Sequence, residues 1–129
     1  MNKIIVEVSI GELLDKISIL EIKQRKIKDL EKLKFINNEH SLLKNQLEKN
    51  VNSDDKLNEL YQSLKEINSK LWVIEDDKRQ CEKDKDFGEK FVKLSRDVHF
   101  LNDNRAKIKL EINNHTGSTI KEIKEYTGY

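Results

Sequence analysis

Residues 57–81 read LNELYQSLKEINSKLWVIEDDKRQC, and the pattern within them decides the fold. Leu57, Leu60, Leu64, Ile67, Leu71, Ile74, Lys78 and Cys81 recur in steps of three and four, Lys78 filling the one polar gap. That spacing marks one face of a helix; a strand would show its apolar residues at every second position. Sustained so far without a slip, it predicts coiled-coil-like packing of side-chain knobs into holes. Asn50-Val51-Asn52-Ser53-Asp54-Asp55, just upstream, is a turn cluster with a ready N-cap, so a helix is expected over 54–85.

The same reading extends in both directions. Downstream, Asp86-Phe87-Gly88-Glu89 resembles a capping box, and Phe87, Phe91, Leu94, Val98, Leu101, Arg105, Ile108 and Ile112 form a second seam, predicting a helix over 87–113. Asn113-Asn114-His115-Thr116-Gly117 should stop it, leaving 118–126 for a short closing helix. Upstream, Ser9-Ile10-Gly11-Glu12 is a capping box ahead of Leu13, Leu14, Ile17, Leu20, Gln24 and Ile27. The pattern runs on less cleanly through Leu47, predicting a first helix over 9–49 with a bend near Asn37-Asn38. Residues 1–8, rich in β-branched side chains, read as an extended arm. The expectation is a single all-α domain over residues 1–129: three long antiparallel amphipathic helices in an up-down-up bundle.

Composition narrows the function classes. Of 129 residues 36% are hydrophobic and 38% charged, a balance suited to long helices with well-solvated outer faces. A formal net charge of +1 argues against a dedicated nucleic-acid binder. No stretch approaches the ~20 apolar residues that span a bilayer, and no signal-peptide pattern opens the chain, so a cytoplasmic protein is expected. Cys81 stands alone, which excludes an internal disulfide, and its seam position reads as a small buried hydrophobe. One cysteine and three scattered histidines give no metal-ligand spacing, and no glycine-rich phosphate loop appears, so no metal or cofactor is implied.

Lysine outnumbers arginine 21 to 4, so Arg25, Arg79, Arg96 and Arg105 stand out as candidates for specific pairing through a planar guanidinium fork. Folding the helices about the turns near 51 and 86–87 sets Arg25 level with Lys78, and Arg79 within a turn of Arg96. Arg25, Arg79 and Arg96 then converge with Glu75, and two readings follow. Glu21, Glu75 and Asp76 could neutralise the arginines as an ion-pair network. Alternatively the forks hold a bound carboxylate or phosphate, with Glu75 as an acid or base. Trp72, beside the seam, reads as core or as an interface anchor.

These residues resemble a group of short bacterial and tailed-phage proteins catalogued only as a domain of unknown function. The resemblance is carried by Ser9 to Lys23 (SIGELLDKISILEIK), by Leu71 to Arg79 (LWVIEDDKR), by Phe87 to Phe91 (FGEKF), and by Asn102 to Ala106 (NDNRA). His99 stands where the family is expected to show Tyr. The resemblance implies a helical fold and no activity. It draws attention to polar positions that packing does not demand: Glu12, Asp15, Lys16, Glu75, Asp76, Arg79, Asn102, Asp103 and Arg105.

The function expected first is a non-enzymatic helical interaction module, forming a homo-oligomer or binding a partner protein, because amphipathic helices exceed what a small core can bury. The alternative is a small-anion-binding bundle enzyme with an arginine-lined site, in the manner of all-helical chorismate mutases.

Overall fold

In the computed structural model, which describes residues 2–120, 123–125, 127 and 128, the chain forms four α-helices: α1 (Ile10–Lys26), α2 (Leu30–Asn50), α3 (Asp55–Asp84) and α4 (Glu89–Thr116). No strand occurs among the described residues. The first long helix expected over 9–49 is thus two helices. The interruption lies at residues 27–29 rather than at Asn37-Asn38, which sit inside α2. Its cause is local. Ile27 turns to an extended backbone (φ −88°, ψ 132°), and the Asp29 carboxylate accepts from the N–H groups of Glu31 and Lys32, capping a new helix. An aspartate cap without glycine or proline beside it leaves little mark in the hydrophobic pattern.

α1 is the central helix, packing on α2, α3 and α4, while α3 packs on α4. Side-chain pairs move outward in step from the 27–29 connection: Gln24 Nε2 donates to Asn37 Oδ1 (2.9 Å), and His40 Nε2 lies 3.0 Å from Glu21 Oε2. Gln24, the polar residue in the first seam, therefore spends its amide on fixing the register of α2. Across α3 and α4, Asp54 pairs with His115, and the Lys78 ammonium stands 5.7 Å from the centre of the Phe91 ring.

The apolar core gathers at one end. Leu14, Leu57, Leu60, Leu64 and Ile112 are buried together, with Ile10, Leu47, Val51, Tyr61 and Ile108 packed around them. Beyond Leu64 the α3 seam changes character: Ile67 is buried only in part, as are Leu71 and Ile74, and full burial returns only at Cys81. Length accounts for this. α1 has 17 residues, about 26 Å, against 30 residues, about 45 Å, for α3. The last turns of α3 and the first turns of α4 therefore project past α1 as a two-helix hairpin.

The helix ends differ from the expected boxes in instructive ways. Ser9 does accept from the Glu12 N–H (3.0 Å), but Glu12 turns away to Lys109 on α4. At the start of α4 the cap is Gly88, with no side-chain cap bond, and the Asp86 carboxylate accepts from the Gly88 N–H instead (3.2 Å). α4, the fourth helix, has 28 residues, ending at Gly117 in the left-handed conformation (φ 71°). The short helix expected over 118–126 lies partly outside the described residues. Those described within it, 118–120 and 123–125, are not helical. No helix among the described residues is long and apolar enough to cross a membrane.

Candidate functional site

The polar centre of the molecule is built from the first two turns of α1. Gly11 sets the geometry: its N–H donates to Asn113 Oδ1 on α4 (2.7 Å), and a Cβ at this position would stand 2.6 Å from the Lys109 carbonyl oxygen. Only glycine lets the two backbones approach so closely. One turn on, Asp15 is 2% exposed. Arg105 reaches it from α4 with a bidentate fork, Nε donating to Oδ1 (2.9 Å) and Nη2 to Oδ2 (2.5 Å). Asn68 reaches it from α3, Nδ2 donating to Asp15 Oδ1 (2.8 Å) and to Ser18 Oγ (2.7 Å); Ser18 Oγ donates in turn to the Asp15 carbonyl (2.8 Å). Lys109 Nζ donates to Glu12 Oε2 (2.7 Å) and lies 3.8 Å from Asp15 Oδ2. Among the described residues no buried side-chain nitrogen or oxygen lacks a partner. A carboxyl buried this deeply needs such partners, because its hydrogen bonds and ion pairs offset the cost of taking it out of water.

A second polar cluster ties α2 to the rest. Glu21 accepts from the Tyr61 hydroxyl and from Lys65 Nζ (3.2 Å), both on α3, while its other oxygen meets His40. Burial pushes the Glu21 carboxyl up, but the hydrogen bonds from Tyr61, His40 and Lys65 and the Lys65 charge outweigh it and hold the group below the usual range. Burial and the neighbouring carboxylate raise the Tyr61 hydroxyl well above its ordinary value. At the exposed end of α3, the bond from the Leu57 N–H lowers the Asp54 carboxyl, helped by His115.

Above the Asp15 network opens a cleft of about 370 Å³ between α1 and the projecting hairpin. Ile19, Ile22, Leu71 and Trp72 give it apolar walls, and Glu75, Asp76, Arg79 and Arg105 its polar rim. Arg79 and Glu75, both expected in an anion site, do meet here, on α3. Arg25 and Arg96 do not join them: each is exposed, and neither lines the cleft. The register behind that convergence also fails, because α1 does not fold on α3 about residue 51. Glu21 meets Tyr61 and Lys65, and Asp15 meets Asn68. Glu21 therefore neutralises a lysine and not an arginine. Lys16 points to solvent, while Asn102 and Asp103 are half-buried within a turn of Arg105.

Asn68 and Lys109 are central to the network, yet no motif singled them out, while Ser18 and Asn113 fall in quoted stretches that gave them no role. The available signal was Gly11, a glycine inside a capping box ahead of a helix, which implies a close backbone approach.

Chemically the cleft is balanced. Arg105 is already engaged with Asp15, and Glu75 and Asp76 share the rim with Arg79, so an entering dianion would meet two carboxylates. Among the described residues no three His, Cys, Asp or Glu side chains stand close enough to share a metal ion. The family model described as "Family of unknown function (DUF6165)" matches residues 4–129. No curated protein and no solved structure matches the chain.

Proposed function

The chain belongs to that family of unknown function, and from this premise we propose that it is a non-enzymatic helical assembly module that self-associates through its projecting hairpin. The observation that carries the reading is surface. The chain exposes 9657 Å², whereas a compact monomer of 15.3 kDa should expose about 7,100 Å². The surplus, about 2,500 Å², exceeds the ~1,200–2,000 Å² that a stable interface removes from both partners together. Apolar side chains lie on that surface: Leu30, Phe35 and Leu42 are exposed on α2, and Val73, Phe87, Val92 and Phe100 on α3, α4 and the turn between them. Scattered apolar surface is ordinary, but the projecting end of the hairpin has only two helices to build a core from. The face of α3 and α4 turned away from α1, with Val73 and Phe100 on it, would be the one presented to a second copy. The balanced charge of the Trp72 cleft favours this reading over an arginine-lined anion enzyme.

Light scattering coupled to gel filtration, run from about 1 to 200 μM, tests it. A mass of two or more chains supports self-assembly; a single-chain mass across that range overturns it.

A further inference from the structure

The turn between α1 and α2 concentrates positive charge. Residues 23–35 carry Lys23, Arg25, Lys26, Lys28, Lys32 and Lys34 against Asp29 and Glu31, a net +4 in a chain whose total is +1. Among the described residues none of these six cationic side chains forms an ion pair or a hydrogen bond. Arg25, Lys26, every residue from 28 to 32, Lys34 and Phe35 are exposed. Glu21 and Gln24 of α1 meet His40 and Asn37 of α2, so the two helices run back antiparallel from the turn, which stands at their common end.

Helix electrostatics account for only half of these cations. Lys23, Arg25 and Lys26 fill the last turn of α1, where positive charge complements the helix dipole. Lys28 and Lys32 do the opposite. They flank the first turn of α2, the positive end of its dipole, and no contact within the described chain offsets that cost. Bulky apolar side chains stand among them: Leu30, the first residue of α2, is 77% exposed and Phe35 76%. The two lie about 7.5 Å apart along the helix and on different flanks of it. A surface lying along α2 would miss one of them; a surface met end-on reaches both.

We propose that this turn docks end-on against an anionic lipid surface. The cations lie at the level of the headgroup phosphates, with their apolar stems along the boundary below. Leu30, and behind it Phe35, enters that boundary, to the depth of about 5–10 Å typical of interfacial segments. The apolar pair selects a bilayer over nucleic acid, because a phosphate backbone satisfies the lysines but gives Leu30 nothing to bury against. The rest of the chain carries the balance of −3, which the same surface repels, so the molecule approaches turn first. The contact is peripheral, and it leaves the α3–α4 hairpin free for self-assembly.

Co-sedimentation of the full chain with lipid vesicles tests it. Vesicles of phosphatidylcholine with about 30% phosphatidylglycerol should bind at least tenfold more tightly than phosphatidylcholine alone, and raising salt from about 0.1 to 0.5 M should release the protein. A lysine near an anionic surface contributes about a fivefold gain, so Lys28→Glu with Lys32→Glu should lose at least tenfold. Leu30→Ser should lose at least threefold without changing the salt dependence, which separates insertion from charge attraction. All three positions are exposed, and glutamates there suit the α2 dipole, so the double variant should melt no lower than the wild type. No binding, equal binding to both vesicles, or variants that bind like the wild type overturns the proposal. So does a single-stranded oligonucleotide that binds more tightly than the vesicles at the same salt. A double reversal that lowers the protein's mass in solution and not its lipid binding overturns it too, since the turn would then serve a second copy.

Discussion

Arg105 and Asp15, ninety residues apart in the chain, form a bidentate ion pair that joins α4 to α1 beside the close backbone approach at Gly11. The pair is asymmetric. Asp15 is 2% exposed, whereas more than a quarter of the Arg105 side chain reaches solvent at the floor of the cleft. Removing the arginine takes the main charge partner from a buried carboxylate; removing the aspartate leaves a cation that water already reaches.

Arg105→Ala should therefore destabilise the fold by about 3 kcal/mol, the lower end for a broken buried pair, because Asn68 and Lys109 remain beside Asp15. Asp15→Asn should cost less. Urea unfolding of the two variants, compared by midpoint at similar slope, checks the order. Equal losses would mean that the pair is no more buried on one side than on the other.

Asn68 shares its acceptor with Arg105, so their effects should not add. A double-mutant cycle of Asn68→Ala and Arg105→Ala should show a coupling of about 0.5–3 kcal/mol, as expected for residues in one network. A coupling within error of zero would mean that the two act on Asp15 independently.

Gly11→Ala should destabilise by about 1–3 kcal/mol, because the added Cβ meets the Lys109 carbonyl at 2.6 Å and that oxygen is backbone. Gly88→Ala, where the nearest atom is the Asp86 carboxylate at 3.5 Å, should cost less than about 1 kcal/mol. Thermal melts of the two variants give the comparison directly.

These residues also mark how far the sequence could be read. The helical class and the α3 and α4 seams followed from apolar spacing, since Leu57, Leu60, Leu64 and Ile112 bury as their positions demand. The split of the first long helix did not, because Asp29 caps α2 with one carboxylate and no change in apolar rhythm. The site was legible only in part. Arg79 and Glu75 meet in the cleft, yet Arg25 and Arg96 stand outside it, since placing them depended on which helices neighbour one another. Asn68 and Lys109 were invisible for a related reason: their value lies in reaching a partner on another helix, and single-sequence spacing carries no information about that.

Acid should unfold the protein partly through Glu21. Its folded-state pKa lies below the unfolded value, so its contribution is complete above the ordinary glutamate range, about 4.3, and is lost as pH falls through the depressed value. Glu21→Gln should flatten that acid limb, and Tyr61→Phe should move the Glu21 titration upward by removing one of its donors. Carboxyl NMR titration reads the shift; an unmoved Glu21 would mean that the Tyr61 bond does not form in solution.

Hydrogen exchange should divide α3 in two. Its first half packs in the Leu14–Leu57–Leu60–Leu64–Ile112 core, so amides from about residue 60 to 68 should exchange only through global unfolding. From Gln80 to Asp84, past the cleft shared with α1, the helix packs on α4 alone, with Cys81 the one buried residue in that span. Those amides should open locally, at a free energy clearly below the global value, and the matching stretch of α4 near Phe91 should follow them. Self-association through the hairpin would raise protection there as concentration rises. The concentration dependence of exchange along α3 thus separates its two ends: the core end should not respond and the hairpin end should. Uniform protection along the whole helix would show that the projecting hairpin is held by contacts other than these.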